Sequence, residues 1–164
     1  MADPTKTLIG HVTVAFTPQG GSAVNITGTK CSINPSVTYA KHKGVYGSAP
    51  SVRRTDRSVV TDMELYYDVT VDELTTDIID FFLLGNNETT NVPMSKSYTG
   101  TATLKVIDAD DASGAELLNH TGFKCLCTPQ GALEVDRENF SSIVLRFEVM
   151  GTDADLGTYT VRGS

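Results

Sequence analysis

Histidine, cysteine and clustered carboxylate side chains are the groups in this 164-residue sequence that could do chemistry. The three histidines, His11, His42 and His120, lie far apart along the chain. No Gly-x-Ser-x-Gly, His-Glu-x-x-His or phosphate-loop pattern accompanies them. The residue types and their spacing therefore predict a protein that is not an enzyme.

A pair of cysteines comes nearest to a metal-binding pattern. Cys125 and Cys127 would share one face of a strand, with His120 close in sequence. Structural zinc sites use four ligands and a Cys-x-x-Cys type of spacing, which this segment lacks. We interpret both thiols as small buried hydrophobic groups beside Phe123.

An acidic segment, residues 108–116, has a partial calcium-loop pattern. Asp108 and Asp110 fit its first and third positions, but Ala112 and Ser113 do not fit the positions that follow. The segment is interpreted as a solvated turn, and no metal or cofactor is expected.

The composition is that of a soluble globular domain with an acidic balance. Hydrophobic residues make up 40% of the chain, charged residues make up 20%, and the net charge is −7. This charge argues against a surface that grips nucleic acid through its phosphates. An odd number of cysteines argues against a disulfide framework, and no secretory signal is visible. We expect one domain over residues 1–164 that folds in a cytoplasm.

Alternation of apolar and polar residues predicts that most of the chain is β-structure. The predicted fold class is mainly β, an antiparallel sandwich or barrel with one flanking helix. The predicted strands cover residues 7–16, 23–33, 36–41, 59–69, 98–108, 123–130, 131–136, 141–151 and 157–163.

The stretch VTVDELTTDIIDFFLLGNN, residues 69–87, predicts that helix at about residues 71–84. Thr70 and Glu73 have the spacing of a capping box, and Gly85 suits the left-handed residue after the helix. A polar loop is predicted to follow at residues 86–96.

The predicted helix is apolar all round in its last turn. One face should pack on the sheet, and it consists of Leu74, Ile78, Phe81 and Phe82. Ile79, Leu83 and Leu84 lie outside this face and need a second cover. That cover is either a loop of the same chain or another subunit, and the sequence leaves both open.

Residues 41–58 show no sustained period and are predicted to form a long irregular loop. This loop carries one acidic residue and five basic residues, which are Lys41, Lys43, Arg53, Arg54 and Arg57. Residues 62–80 carry seven acids and no Lys or Arg. These charges are interpreted either as solvated surfaces or as complementarity between a basic arm of one copy and an acidic surface of the next.

The order of these features resembles that of the major tail tube proteins of long-tailed bacteriophages. A strand pair leads to the long loop, and the strand DMELYYDVTVDEL runs into the helix TTDIIDFFLLG. The strand SSIVLRFEVMG follows near the C-terminus. The resemblance covers most of the chain and rests on this order rather than on a fixed motif.

The resemblance implies a homo-oligomer of hexameric rings that stack into a tail tube. The basic loop would bridge the rings, and Ile79, Leu83 and Leu84 would contribute to subunit interfaces. Other tail proteins, such as the tape measure and terminator proteins, would be partners. Genomic DNA would pass through an acidic lumen without specific binding, as like-charge repulsion favours. The protein would be made in the host bacterial cytoplasm and reside in the virion tail.

Two other classes remain open. One is another ring-forming or decorating virion protein: a tail terminator, a capsid decoration protein or the inner tube of a contractile system. The other is an Ig-like binding module, but the sequence contains no Trp and only 7% aromatic residues, which gives little support for a sugar-binding platform.

Overall fold

A computed structural model describes residues 10–45, 53–85, 92–108, 115–138 and 141–162. These ranges hold eight strands, one α-helix and a short 3-10 helix at Asp153–Asp155. In chain order the elements are β1 (Gly10–Pro18), β2 (Val24–Gly28), β3 (Lys30–Val45), β4 (Arg53–Val71), α1 (Thr76–Leu83), β5 (Tyr98–Asp108), β6 (Glu116–Gln130), β7 (Ile143–Val149) and β8 (Thr158–Val161).

The strands form one antiparallel sheet in the order β2-β1-β5-β6-β7-β4-β3, and β8 pairs with β6. The two edge strands, β2 and β3, follow one another in the chain. Thr29 joins them, and its backbone N–H donates to the carbonyl oxygen of Thr70 in β4 at 2.9 Å. The sheet therefore curls until its edges meet, which confirms the predicted mainly β, barrel-like class with one helix.

The core lies inside the curled sheet because alternate residues of each strand point inward. Phe16, Phe123 and Phe147 are fully buried there. Helix α1 adds Ile78 and Phe81 to the same core. The ring of Phe81 lies 5.3 Å from that of Phe16, in an edge-to-face arrangement.

The predicted capping box of Thr70 and Glu73 is wrong. Thr70 belongs to β4, where it pairs with Lys30 and Val144, because the ladder between β4 and β7 continues to Val71. Strand pairing therefore overrides the local capping signal.

The helix instead begins at Thr76, five residues later than predicted. Its N-cap is Thr75, whose hydroxyl accepts from the backbone N–H of Ile78 at 3.4 Å. At the other end Leu84, rather than Gly85, has the left-handed conformation, with φ 50°.

The predicted irregular loop at residues 41–58 is also wrong. Strand β3 runs to Val45 and β4 starts at Arg53, so the described parts of this segment are paired strands, and residues 46–52 lie outside the described residues. Register shifts between Thr38 and Tyr39 and between His42 and Lys43 interrupt the ladder. Each shift breaks the period-two pattern that would reveal a strand in the sequence. The predicted strand at 131–136 is likewise absent, as this described stretch has no regular structure.

The hairpin extends beyond the rest of the sheet. Strand β7 pairs with β4 only from Tyr66 to Val71. We call residues 35–45 and 53–65 the arm, because in this part β3 and β4 pair only with each other. Eleven residues of β3 span about 35 Å at the usual rise of a strand.

Gly28 occupies the corner at which the sheet edges meet. A Cβ atom there would lie 2.5 Å from Cγ1 of Val69 and 2.7 Å from Cγ1 of Val12. Both valines are buried, so neither can move aside freely. The absence of a side chain at residue 28 is therefore a condition for closing the sheet.

We expect Gly28→Ala to lower the free energy of unfolding by about 1–3 kcal/mol through overpacking. Gly21→Ala is the matched control, because a Cβ atom there would meet nothing closer than 3.6 Å. Urea unfolding of both variants measures the difference. Equal stability of the two variants would contradict the close contact at Gly28.

Candidate assembly interface

The described residues bring no metal-binding cluster together. Within these ranges no group of three or more His, Cys, Asp or Glu side chains could hold a metal ion. His11 and His42 are exposed on β1 and the arm, whereas His120 is buried in β6. In the same described portion, no helix has the length and apolar character to cross a membrane.

His120 joins three segments of the chain inside the domain. Its Nδ1 lies 2.7 Å from the hydroxyl oxygen of Tyr67 in β4, and its Nε2 lies 2.7 Å from the carbonyl oxygen of Leu156. Because a carbonyl only accepts, Nε2 carries a hydrogen, and in the neutral imidazole Nδ1 then accepts from the Tyr67 hydroxyl. The imidazole also stacks on Phe123 at 4.3 Å. These contacts therefore connect the part of β4 next to the arm with β6 and with the segment that precedes β8.

Burial keeps the thiols and Tyr67 in their neutral forms. It raises the pKa of Cys31 to about 11, with a smaller contribution from Asp68, and that of Cys125 to about 12. The pKa of Cys127 is also raised, chiefly by burial. Burial raises the pKa of Tyr67 to about 12, with Cys31 contributing. Cys125 and Cys127 thus act as apolar core groups, as the sequence indicated.

One face of the arm extends the apolar inner face of the sheet beyond the core, where its side chains are exposed. Directly opposite residues of an antiparallel pair share a face, and Ile33 pairs with the buried Tyr67. The next pairs on this face form what we call the apolar arm face: Pro35 with Leu65, Val37 with Met63, and Tyr39 with Val60. Met63 is 71% exposed and Tyr39 is 49% exposed. In the described part of the chain, this face is therefore exposed as a continuous sheet surface rather than as scattered hydrophobic residues.

Towards the end of the arm, the opposite face of the hairpin carries the pairs Ala40 with Val59 and His42 with Arg57, and nearer the body of the domain it is acidic. It carries Asp62 and Glu64 on the arm, followed by Asp68 where the hairpin joins the sheet. Arg146 of β7 makes a bidentate ion pair with Asp68 at 2.8 and 3.0 Å. The guanidinium also stacks over the ring of Tyr66 at 4.0 Å. This cluster holds the base of the arm from the side opposite to His120.

The predicted inter-ring basic residues lie on the paired strands of the hairpin. Lys41 and Lys43 are exposed on β3, and Arg57 is exposed on β4. Arg53 and Arg54 start β4, where their backbones pair with Val45 and Gly44, and their side chains lie outside the described part. Their role between rings stays a prediction.

The same chain covers part of the apolar surface at the end of the helix. Leu84 packs against the core, and its carbonyl oxygen accepts from the backbone N–H groups of Ser95 and Lys96. Ile79 is half-buried, but Leu83 remains 46% exposed. Of the three predicted interface residues, Leu83 thus keeps the most open side chain.

Two further residues extend the exposed apolar surface beside Leu83. The backbone N–H of Met94 donates to the carbonyl oxygen of Leu83 at 2.9 Å, which brings the segment after the helix alongside it. Met94 is 75% exposed and Val92 is 45% exposed. We call Leu83, Val92 and Met94 the helix-end cluster. Sequence reasoning missed the last two because they fall in a segment predicted as a polar loop.

The architecture defines the class: a curled antiparallel β-domain with one packed helix and a projecting hairpin. Neither the scan of protein-family models nor the search of curated proteins gives a match. Among solved structures, a chain in the cryo-EM structure of the anti-feeding prophage (AFP) baseplate, 6-fold symmetrised, is similar in fold. Its TM-score is 0.52 at 9% identity, and the match covers 100% of both chains.

We expect Tyr67→Phe to lower the free energy of unfolding by about 1–3 kcal/mol, because it leaves Nδ1 of His120 buried without a donor. Tyr159→Phe is the control, since Tyr159 is 73% exposed. Thermal or urea unfolding gives both values. A Tyr67→Phe protein as stable as the control would contradict the hydrogen bond as a structural fastening.

Proposed function

We propose that this chain is a structural protein of a bacteriophage or a phage-derived particle, and that its copies form rings that stack as a tail tube. The observation that carries the proposal is the arm, which holds an apolar face away from the body of its own subunit. The similar fold of a chain in the AFP baseplate supports a role in such a particle.

An isolated arm is poorly suited to stand alone in water. Two-stranded hairpins are marginally stable unless another layer covers them. Here the exposed residues include Val37, Tyr39, Val60 and Met63 on one face. A second layer supplied by a neighbouring subunit would remove this apolar area from water, at roughly 25 cal/mol per Å².

Open strand edges supply a second reason for association. At its position in the described sheet, β3 pairs with β4 on one side and has a free edge on the other. Such edges invite pairing with another chain, and closure through neighbours removes them. Rings in which strands of successive copies pair would use this property.

The charge suits a conduit for DNA. The net charge is −7, and the part of the arm next to the domain body carries Asp62 and Glu64 on one face. A lumen lined by such a surface would repel a polyanion rather than hold it. Genomic DNA would accordingly pass without specific binding, and the tape measure and terminator proteins would be the other partners.

A ring-forming baseplate protein is the second candidate, because the similar structure is a baseplate chain. The two candidates predict different assemblies. A tail tube protein stacks into tubes of open length, whereas a baseplate ring of one layer stops at a closed oligomer.

The test combines light scattering after size exclusion with negative-stain imaging over a concentration series. We expect rings and tubes from the wild-type chain. Met63→Asp should melt like the wild type, because residue 63 is exposed in the subunit, but should assemble at least tenfold more weakly, since a charge would be buried at an apolar interface.

Val135→Asp is the matched control, because Val135 is 85% exposed and lies outside the arm. It should assemble like the wild type. A wild-type chain that stays monomeric at millimolar concentration would overturn the proposed function. Closed single rings that never stack would favour the baseplate role.

A further inference from the structure

We propose that the arm of one copy docks on the helix end of the next copy, with its apolar face against Leu83, Val92 and Met94. The inference rests on the proposed function and names the surface that receives the arm. Its occupant is a second copy of this chain, and the contact is head-to-tail.

The two surfaces share an apolar character, and among the described residues both are exposed. On the arm, Met63 and Tyr39 are 71% and 49% exposed. On the helix end, Met94 is 75% exposed. Methionine side chains adapt to irregular partner surfaces, which suits a contact that forms only on assembly.

The helix end holds its apolar side chains outward on a strained backbone. Leu84 and Met94 have φ values of 50° and 55°, and they are the described non-glycine residues with positive φ. This conformation costs about 1–2 kcal/mol for such a residue. Backbone hydrogen bonds from Met94 to Leu83 and from Ser95 and Lys96 to Leu84 hold it in place. Strain that surrounding structure maintains is a reason to look for a binding role.

Charge complementarity indicates that the partner is another copy. The outer part of the arm exposes Lys41, Lys43 and Arg57. The approach to α1 and its first turn expose Asp72, Glu73 and Asp77. Residues 58–95 contain no Lys or Arg at all. Opposite charges therefore lie on the arm and at the start of the helix that ends at Leu83, and like charges oppose pairing of one arm with another arm.

The arrangement along β4 makes the contact intermolecular. Helix α1 follows the body end of β4, whereas the arm lies at the other end. From Tyr67, in the body, to Thr55, opposite Lys43, β4 extends over about 40 Å. An arm that leads away from its own helix end can reach only that of another copy. A contact between two different surfaces repeats from copy to copy, giving rings or filaments.

Two charge-reversed proteins test the pairing. One carries Lys41→Glu, Lys43→Glu and Arg57→Glu, and the other carries Asp72→Lys, Glu73→Lys and Asp77→Lys. All six residues are exposed, so both subunits should fold, although the protein with Asp77→Lys should melt slightly lower because a cation then lies in the first turn of α1. Alone, each should assemble at least tenfold more weakly than the wild type. Mixed in equal amounts, they should co-assemble to wild-type size, because each arm then meets a helix end of opposite charge.

Met94→Gly tests the apolar part separately. Glycine accepts the positive φ without strain, so the subunit should keep or gain stability. Loss of the side chain should still raise the assembly concentration severalfold. Val135→Gly is the control for loss of an exposed apolar side chain and should leave assembly unchanged.

The outcomes separate this inference from the proposed function. Suppose that the wild type forms tubes, but that each charge-reversed protein also assembles normally or the two do not co-assemble when mixed. Either result would overturn the docking site and leave the tail tube role standing. A mixture that stops at dimers would show arm-to-arm pairing and overturn the head-to-tail contact. A wild-type chain that never assembles would overturn both.

Discussion

The change of partners along β4 is the constraint on which the rest of the structure depends. From Tyr66 to Val71 this strand lies between β3 and β7, and before Tyr66 it has β3 alone. The part of β4 that pairs on both sides anchors the strand in the sheet, and the helix begins only after it, at Thr76. The part of β4 that pairs with β3 alone belongs to the arm. One 19-residue strand thus defines both the closed domain and the surface that leaves it.

The base of the arm is fixed from both faces of the sheet. On the inner face, Tyr67 donates to His120, which in turn binds the carbonyl of Leu156. On the outer face, Asp68 and Tyr66 hold Arg146. Because these are neighbouring residues of one strand, their side chains alternate between the faces. The direction in which the arm leaves the domain is therefore set by side chains as well as by the backbone ladder.

The sequence predicted the elements with a regular period and missed those that depend on distant partners. The strand at 141–151 and the inward faces of the helix follow directly from periodicity, and Ile143, Leu145 and Phe147 are buried as expected. The capping box failed because pairing with β7, a segment more than 70 residues away, outweighs a local signal. The arm was missed because register shifts hide its alternation. The helix-end cluster depends on backbone hydrogen bonds that no local pattern encodes.

The register shifts in the arm also bear on how newly made subunits avoid one another. Long, flat strands with free edges stack indiscriminately into cross-β aggregates when many identical chains are present. The shifts at Thr38 and at His42 are bulges or similar irregularities, which increase the local twist of the pair. A twisted edge offers a poor template for the edge of an identical arm. The arm can thus remain exposed in a concentrated pool of subunits while pairing between the edges of two identical arms is discouraged.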